Sequence, residues 1–209
     1  MTKTALGDED GDFLTGSSWF ERDYYFFKKS DLLINDSNRI GKEELLKQRK
    51  KIFPKPLGSD LENVTKNLRL FKKTSFISII KRDIDSKATL EENLSSLSSL
   101  AEICIQTSLV DSMTYYAKEL NMMPESDRQK SELFIIAMGK LGGRELNASS
   151  DIDIIFFSPY KDELRRNATT LAKFEKFWNK VITRFLHSLS TITDHGFVYR
   201  VDMRLRPYG

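Results

Sequence analysis

Two aspartates one residue apart, Asp151 and Asp153, open a run of residues that otherwise belongs in a protein core. They end a glycine-rich, mixed-charge loop within the stretch AMGKLGGRELNASSDIDIIFF, residues 137–157. Burying an unpaired carboxylate is costly. Because side chains alternate between the two faces of a strand, both aspartates point to one face, while Ile152 and Ile154 point to the other. The pattern predicts a strand with an apolar core face and two carboxylates on its open face.

A second segment, GFVYRVDMRL, alternates in the same way and supplies a third acid, Asp202. The two predicted faces are Val198, Arg200, Asp202 and Arg204 on one side, and Tyr199, Val201 and Met203, a set that looks buried, on the other. Asp153 and Asp202 are 49 positions apart, which leaves room for an intervening helix, so that the two strands can be neighbours. We therefore expect the three carboxylates to meet.

Three clustered carboxylates repel one another unless a cation lies between them. Hard oxygen ligands in small number suit Mg²⁺, which keeps several waters and takes its remaining ligands from substrate phosphates. The sequence therefore predicts a two-metal Mg²⁺ site formed by Asp151, Asp153 and Asp202.

The loop before the first strand is suited to phosphate. Gly142 and Gly143 would let backbone amides approach a polyphosphate closely, and Ser150 would add a hydroxyl donor. Arg204 and Arg206 could hold phosphate oxygens bidentately. The loop has neither the Walker A order nor a G-x-G-x-x-G fingerprint. Each feature alone has a structural explanation, namely a salt-bridged strand end, a turn or an ion-pair ladder, so the prediction depends on their combination.

Apolar periodicity divides the chain into a helical part and a mixed part, which predicts an α+β fold class. Residues 1–11 are predicted to be disordered. Residues 12–130 form the helical N-terminal region, with helices predicted within 12–33, near 42–51, over 60–84 and from Thr89 to about Leu120, the last with a capping-box pattern. Residues 131–209 are predicted to form two short strands, an amphipathic helix over 171–193 and the alternating third strand.

Composition sets limits on location and partners. The net charge of +3 does not call for a nucleic-acid partner. No window of about 18 apolar residues is present, so no membrane span is expected. The polar N-terminus lacks the apolar segment of a signal peptide, which makes the cytoplasm the expected location. The single cysteine, Cys104, lies in an apolar helical pattern and is predicted to be a buried thiol.

The stretches AMGKLGGRELNASSDIDIIFF and GFVYRVDMRLRPYG resemble the two signature stretches of the glutamine synthetase adenylyltransferase family. The resemblance is dense over residues 134–158 and 196–209 and implies a DNA polymerase β-like nucleotidyltransferase with a mixed sheet. It implies that Asp151, Asp153 and Asp202 bind metal. The implied phosphate contacts are Gly142 and Gly143, with Lys140, Arg144, Arg204 and Arg206 as further candidates.

The family carries two such domains, one that removes AMP from glutamine synthetase by phosphorolysis and one that attaches it from ATP. The position of the motif behind a helical leader, and the wording of its second stretch, make this chain resemble the N-terminal, adenylyl-removing domain. The partners implied are glutamine synthetase, phosphate with ADP or ATP, and a PII-type regulatory protein that acts through a part outside this chain. We expect the chain to be a fragment, truncated at its C-terminus before the sheet is complete.

Three other functions stay open at this point. The same three aspartates would serve ATP-dependent adenylylation, so the motif does not give the direction of transfer. A D-x-D motif also occurs in sugar-nucleotide glycosyltransferases, although those usually place it in a longer nucleotide-binding α/β domain. The helices could finally form a non-catalytic module that binds glutamine synthetase or a regulator.

Overall fold

Helices precede and flank a small sheet in the computed structural model, which describes residues 18–35, 37–54, 57–58, 60–119, 133–157, 168–193 and 196–203. Within these residues the elements are α1 (Ser18–Lys29), α2 (Lys42–Ile52), α3 (Leu61–Ile84), α4 (Leu90–Glu119), β1 (Phe134–Ala137), α5 (Gly139–Gly142), β2 (Ile152–Phe157), α6 (Ala168–Ser190) and β3 (Val201–Asp202). The order of elements confirms the α+β class.

The two long helices α3 and α4 begin at side-chain caps. The Asp60 carboxylate accepts a hydrogen bond from the Asn63 amide at 3.1 Å, and the Thr89 hydroxyl accepts one from the Glu92 amide at 3.2 Å. Each cap satisfies an amide that the first helical turn leaves without a partner. The predicted helix start at Thr89 is therefore confirmed.

One hydrophobic core joins the helices to the sheet. Leu68 of α3 and Leu100 of α4 are fully buried in the same cluster as Ile152 and Ile154 of β2. Helix α6 packs on the sheet, with the rings of Phe156 and Phe185 edge to face at 5.5 Å. Helices α3 and α4 thus pack against each other, and the sheet shares their core.

A buried ion pair fixes α6 against α4. Arg184 donates to the Asp111 carboxylate at 2.9 Å, and both side chains are almost fully buried. The other carboxylate oxygen of Asp111 accepts from the Gly58 amide at 2.6 Å. The arginine also lies 4.0 Å from the centre of the Tyr115 ring. Three parts of the chain, α4, α6 and the segment at Gly58, therefore meet at one charged group.

The sheet has the order β1–β2–β3 and is mixed. Strand β1 pairs antiparallel with β2, and β2 pairs parallel with β3, with Asp153 opposite Asp202. Parallel neighbours need a crossover connection, and α6 lies between β2 and β3 in the chain. The predicted mixed sheet is present, and its DNA polymerase β-like type stays a prediction.

The third strand is shorter than predicted. The amides of Val198 and Tyr199 donate to the carbonyl of Leu189 at the end of α6, so the strand pairing with β2 begins only after them. Val198 is 1% exposed and Met203 is 41% exposed, which reverses the faces predicted for these two residues. The alternation fails because hydrogen bonds to α6, not to a strand, set the backbone before Val201.

Several predictions fall outside the described residues: the disorder of residues 1–11, the boundary between residues 130 and 131, and the phosphate contacts of Arg204 and Arg206. Over the part that is described, no helix has both the length and the apolar character needed to cross a membrane.

Candidate functional site

The three predicted carboxylates lie at one end of the sheet. Asp153 on β2 is exposed, whereas its chain neighbours Ile152 and Ile154 are 0% and 1% exposed. Asp202 on β3 is its register partner in the parallel pair. Side chains opposite each other in neighbouring strands share a face, so the structure brings the Asp153 and Asp202 positions together.

Asp151 lies just before β2 and is held by an arginine. Arg200 Nε donates to the Asp151 carboxylate at 2.6 Å. The carbonyl of Arg200 also accepts from the Ile152 amide at 3.0 Å, so backbone pairing sets the two residues across from each other. The sequence placed Arg200 on the same strand face as Asp202, but it did not predict the contact of Arg200 with Asp151.

A glycine that the sequence did not single out makes room for Asp153. Gly139 has a φ of +52°, and a Cβ placed there would lie 2.9 Å from Asp153 Oδ2. The preceding Met138 amide donates to the Asp153 carbonyl at 2.8 Å, so the turn lies directly on the aspartate. The only sequence signal was a glycine directly after an apolar strand, where turns commonly begin.

The two glycines predicted to cradle phosphate are engaged in the turn itself. The Gly142 amide donates to the Met138 carbonyl and the Gly143 amide to the Gly139 carbonyl, both at 3.0 Å. A Cβ on Gly142 would lie 2.6 Å from the Ala137 carbonyl oxygen, which gives that glycine a packing role. An anion nest needs amides that are not already bonded. The phosphate contact of these glycines therefore stays a prediction.

The polar side chains of the loop divide between internal and exposed positions. The Ser150 hydroxyl donates to Asn147 Oδ1 at 2.7 Å, and Lys140 is exposed beside the turn. Arg144 is directed away, because its guanidinium donates to Glu102 and Ser99 on α4. Arg144 thus ties the loop to α4, and the phosphate contacts of Arg144, Lys140 and Ser150 all stay predictions.

The donor chemistry fits a hard divalent cation at Asp153 and Asp202. Both offer carboxylate oxygens, and their positions are adjacent across the strand pair. In the described part of the chain, no cluster of three or more Asp, Glu, His or Cys side chains is arranged to hold a metal ion. Asp151 is directed to Arg200 instead. The predicted three-carboxylate site therefore stays a prediction, and two of its members are register partners.

The open face of the sheet continues from the carboxylates into an apolar area. Phe157 lies opposite Phe134, and these two side chains are 53% and 45% exposed. Ile136, which is 45% exposed, lies opposite Ile155 on the same face. The face that carries Asp153 is thus acidic at one end and apolar at the other.

Behind the site, three ionisable groups lie in the core. Burial raises the pKa of the Cys104 thiol to about 12, partly offset by the nearby Lys72 ammonium. Burial also raises the pKa of Tyr199 and lowers that of Lys72, whose ammonium lies over the rings of Phe76 and Tyr199. Cys104 is the buried thiol that the sequence predicted.

The site residues lie in the part of the chain that matches known proteins. The family model described as glutamate-ammonia ligase adenylyltransferase matches residues 31–209. Similar proteins include three named bifunctional glutamine synthetase adenylyltransferase/adenylyl-removing enzyme. That of Ralstonia nicotianae is 36% identical over 143 residues, 68% of this chain and 15% of that protein.

The protein of Nitrosococcus oceani is 37% identical over 164 residues, and that of Shewanella oneidensis is 36% identical over 182 residues. These matches cover 75% and 82% of this chain, but 17% and 19% of the two proteins. The chain thus spans less than a fifth of the length of the three relatives named here.

Proposed function

Because the chain belongs to the glutamate-ammonia ligase adenylyltransferase family, we propose that it is the nucleotidyltransferase part of an enzyme that modifies glutamine synthetase. The proposed reaction is the phosphorolytic removal of AMP from an adenylyl-tyrosine of that protein. The observation that carries the proposal is the register of Asp153 opposite Asp202 at the open end of a buried strand. We also propose that the nucleotidyltransferase core has a DNA polymerase β-like fold.

In this reaction an oxygen of hydrogen phosphate forms a bond to the adenylyl phosphorus, and the bond from that phosphorus to the tyrosine oxygen breaks. The tyrosine oxygen takes up the proton of the hydrogen phosphate, and the products are ADP and unmodified tyrosine. Bound Mg²⁺ would neutralise charge on the phosphoryl oxygens. Asp153 and Asp202 would hold it, with Asp151 as the third ligand.

The rest of the loop supports the same chemistry by its placement. Gly139 leaves the Asp153 carboxylate accessible above the turn. Lys140 is exposed beside that turn and would balance phosphate charge, as Arg204 and Arg206 would from the segment after β3. A PII-type regulator would act through parts of the relatives that this chain does not match.

The test follows label from glutamine synthetase that carries ³²P in its AMP group. Incubation with the protein, phosphate and Mg²⁺ should release labelled ADP, and omission of phosphate should stop the release. Asp153→Asn and Asp202→Asn should each lower the rate at least about a hundredfold, because each removes a ligand charge. Glu43→Gln, which neutralises a 78% exposed acid on α2, should leave the rate unchanged.

Two results would replace the proposal. Transfer of AMP from labelled ATP to glutamine synthetase, without phosphate-dependent release, would assign the chain to adenylylation. Neither reaction from a folded protein that still binds glutamine synthetase would make it a binding module.

A further inference from the structure

The pair formed by Asp151 and Arg200 is set by strand pairing rather than by two freely moving side chains. The Ile152 amide donates to the Arg200 carbonyl, which fixes the two residues on adjacent backbones. The Arg200 Nε then donates to Asp151 at 2.6 Å, a short hydrogen bond of the charge-assisted kind. Both side chains are exposed, at 67% for Arg200 and 48% for Asp151, so solvent and ions reach the pair.

This arginine lies beside the aspartates that repel one another. Asp151 lies just before β2, two positions from Asp153 on that strand, and Asp202 is opposite Asp153. Arg144, on the preceding loop, is bound to Glu102 on α4. The positive charge of Arg200 offsets part of the repulsion among the three carboxylates, as a metal ion would.

We propose that Arg200 and the divalent cation compete for the Asp151 carboxylate. Arg200 is then a positioning residue, which holds Asp151 in the metal-free protein and releases it when metal binds. The reason is electrostatic: the guanidinium occupies an oxygen that the metal needs and repels a second cation placed next to it. This inference rests on the metal site of the proposed function.

Competition makes a prediction opposite in sign to that of a supporting contact. If Arg200 merely oriented Asp151 as a ligand, its removal would weaken metal binding, as losses of outer contacts usually do. If the two cations compete, removal of Arg200 tightens metal binding. The sign of the change therefore distinguishes the two roles.

The experiment measures Mn²⁺ affinity of the full 209-residue chain by electron paramagnetic resonance of the free ion, with Mn²⁺ as the probe for the Mg²⁺ site. Arg200→Gln should bind Mn²⁺ about three- to tenfold more tightly than the unaltered protein, a size typical of one exposed ion pair and one neighbouring charge. Arg144→Gln removes the same charge from an ion pair with α4 and should change affinity less than about twofold.

A cycle with Asp151→Asn locates the effect. In that background Arg200→Gln should tighten Mn²⁺ binding less than it does in the unaltered protein, because the shared carboxylate is gone and only the repulsion between the two cations remains. A second measurement needs no substitution of the arginine: Mg²⁺ should shift the Nε–H signal of Arg200 in a ¹⁵N spectrum, and Asp151→Asn should shift it in the metal-free protein.

Equal or weaker Mn²⁺ binding by Arg200→Gln, or an Arg200 signal unmoved by saturating Mg²⁺, would overturn the competition while leaving the proposed function in place. Mn²⁺ binding by neither protein would reject the metal site itself, and this inference with it. Binding seen only in Arg200→Gln would support it.

Discussion

At the scale of single residues, Gly139 is the position at which sequence and geometry are most tightly matched. Its φ of +52° is one that residues with a Cβ rarely adopt, and a Cβ would press on the Asp153 carboxylate. Gly196 has a similar φ of +79°, but nothing lies within 4 Å of its would-be Cβ. Substitutions at the two glycines can therefore distinguish the effect of backbone strain from the effect of contact with Asp153.

Gly139→Ala should lower the free energy of unfolding by about 1–2 kcal/mol from the backbone alone, and by more where the methyl group displaces the Asp153 carboxylate. It should also weaken Mn²⁺ binding about tenfold or more, since a displaced ligand no longer faces Asp202. Urea unfolding and Mn²⁺ titration measure the two effects.

Gly196→Ala is the matched control. It should lose about the same backbone term and keep the Mn²⁺ affinity of the unaltered protein. Unchanged affinity in Gly139→Ala would show that Asp153 does not need the space that this glycine leaves.

The residues that sequence reasoning found and those it missed differ in how far their contacts reach along the chain. Asp151 and Asp153 follow from alternation within a single strand, which a local pattern contains. Arg144 binds Glu102 across 42 positions, and Arg200 binds Asp151 across 49. Such pairings depend on the packing of whole elements, so a list of charged residues beside a loop could not separate them.

At the scale of elements, β2 illustrates how a strand can serve the core and a site at once. Its even-numbered residues Ile152 and Ile154 are buried, while Asp153 and Phe157 on the odd face are exposed. A slip of one residue in register would bury the acids and expose the isoleucines, which strongly favours the observed pairing.

A pair of equal truncations tests this division. Ile154→Ala, at a position 1% exposed, should lower the free energy of unfolding by about 2–5 kcal/mol through lost burial and a cavity. Ile136→Ala, at a position 45% exposed on the open face of β1, should cost less than about 1 kcal/mol. Urea denaturation compares the two.

A cost for Ile136→Ala equal to that of Ile154→Ala would mean that the open face is covered in solution.

Strand β3 was harder to predict from the sequence than β2. A period of two indicates a strand but not its partners, and the amides of Val198 and Tyr199 bond to Leu189 on α6. Because of these bonds to α6, the strand is shorter than the alternating pattern in the sequence.

At the scale of the whole molecule, the helices and the sheet are held by shared buried groups. Arg69 of α3 donates to the carbonyls of Gly196 and Thr191, the segment that leads into β3. It also bonds the Thr65 carbonyl within its own helix. The helical region thus fixes the path of the segment that delivers Arg200 and Asp202. Periodicity predicted the helices but contained no information about this contact, which spans more than 120 residues.

The thiol of Cys104 reports on this common core, because it is fully buried among α3, α4 and the residues before β3. Burial raises its pKa from 9.0 to about 12. Above about pH 9 the unfolded chain releases the thiol proton while the folded protein keeps it. The folded state then binds more protons, so stability falls as pH rises between about 9 and 12.

Cys104→Ala removes this group and should flatten the alkaline decline. The free energy of unfolding, measured in urea at pH 7.5, 9.0, 10.0 and 10.5, should fall more steeply in the unaltered protein, by up to about 1.4 kcal/mol per pH unit. Tyr199 and Lys72 are present in both proteins, and charge on Cys104 raises the pKa of each, so the difference between the two curves reports the thiol together with its coupling to these two groups. Parallel curves would show that the core around Cys104 is open to water in solution, and the shared packing of helices and sheet would then be looser than the contacts of α3 with the β3 segment imply.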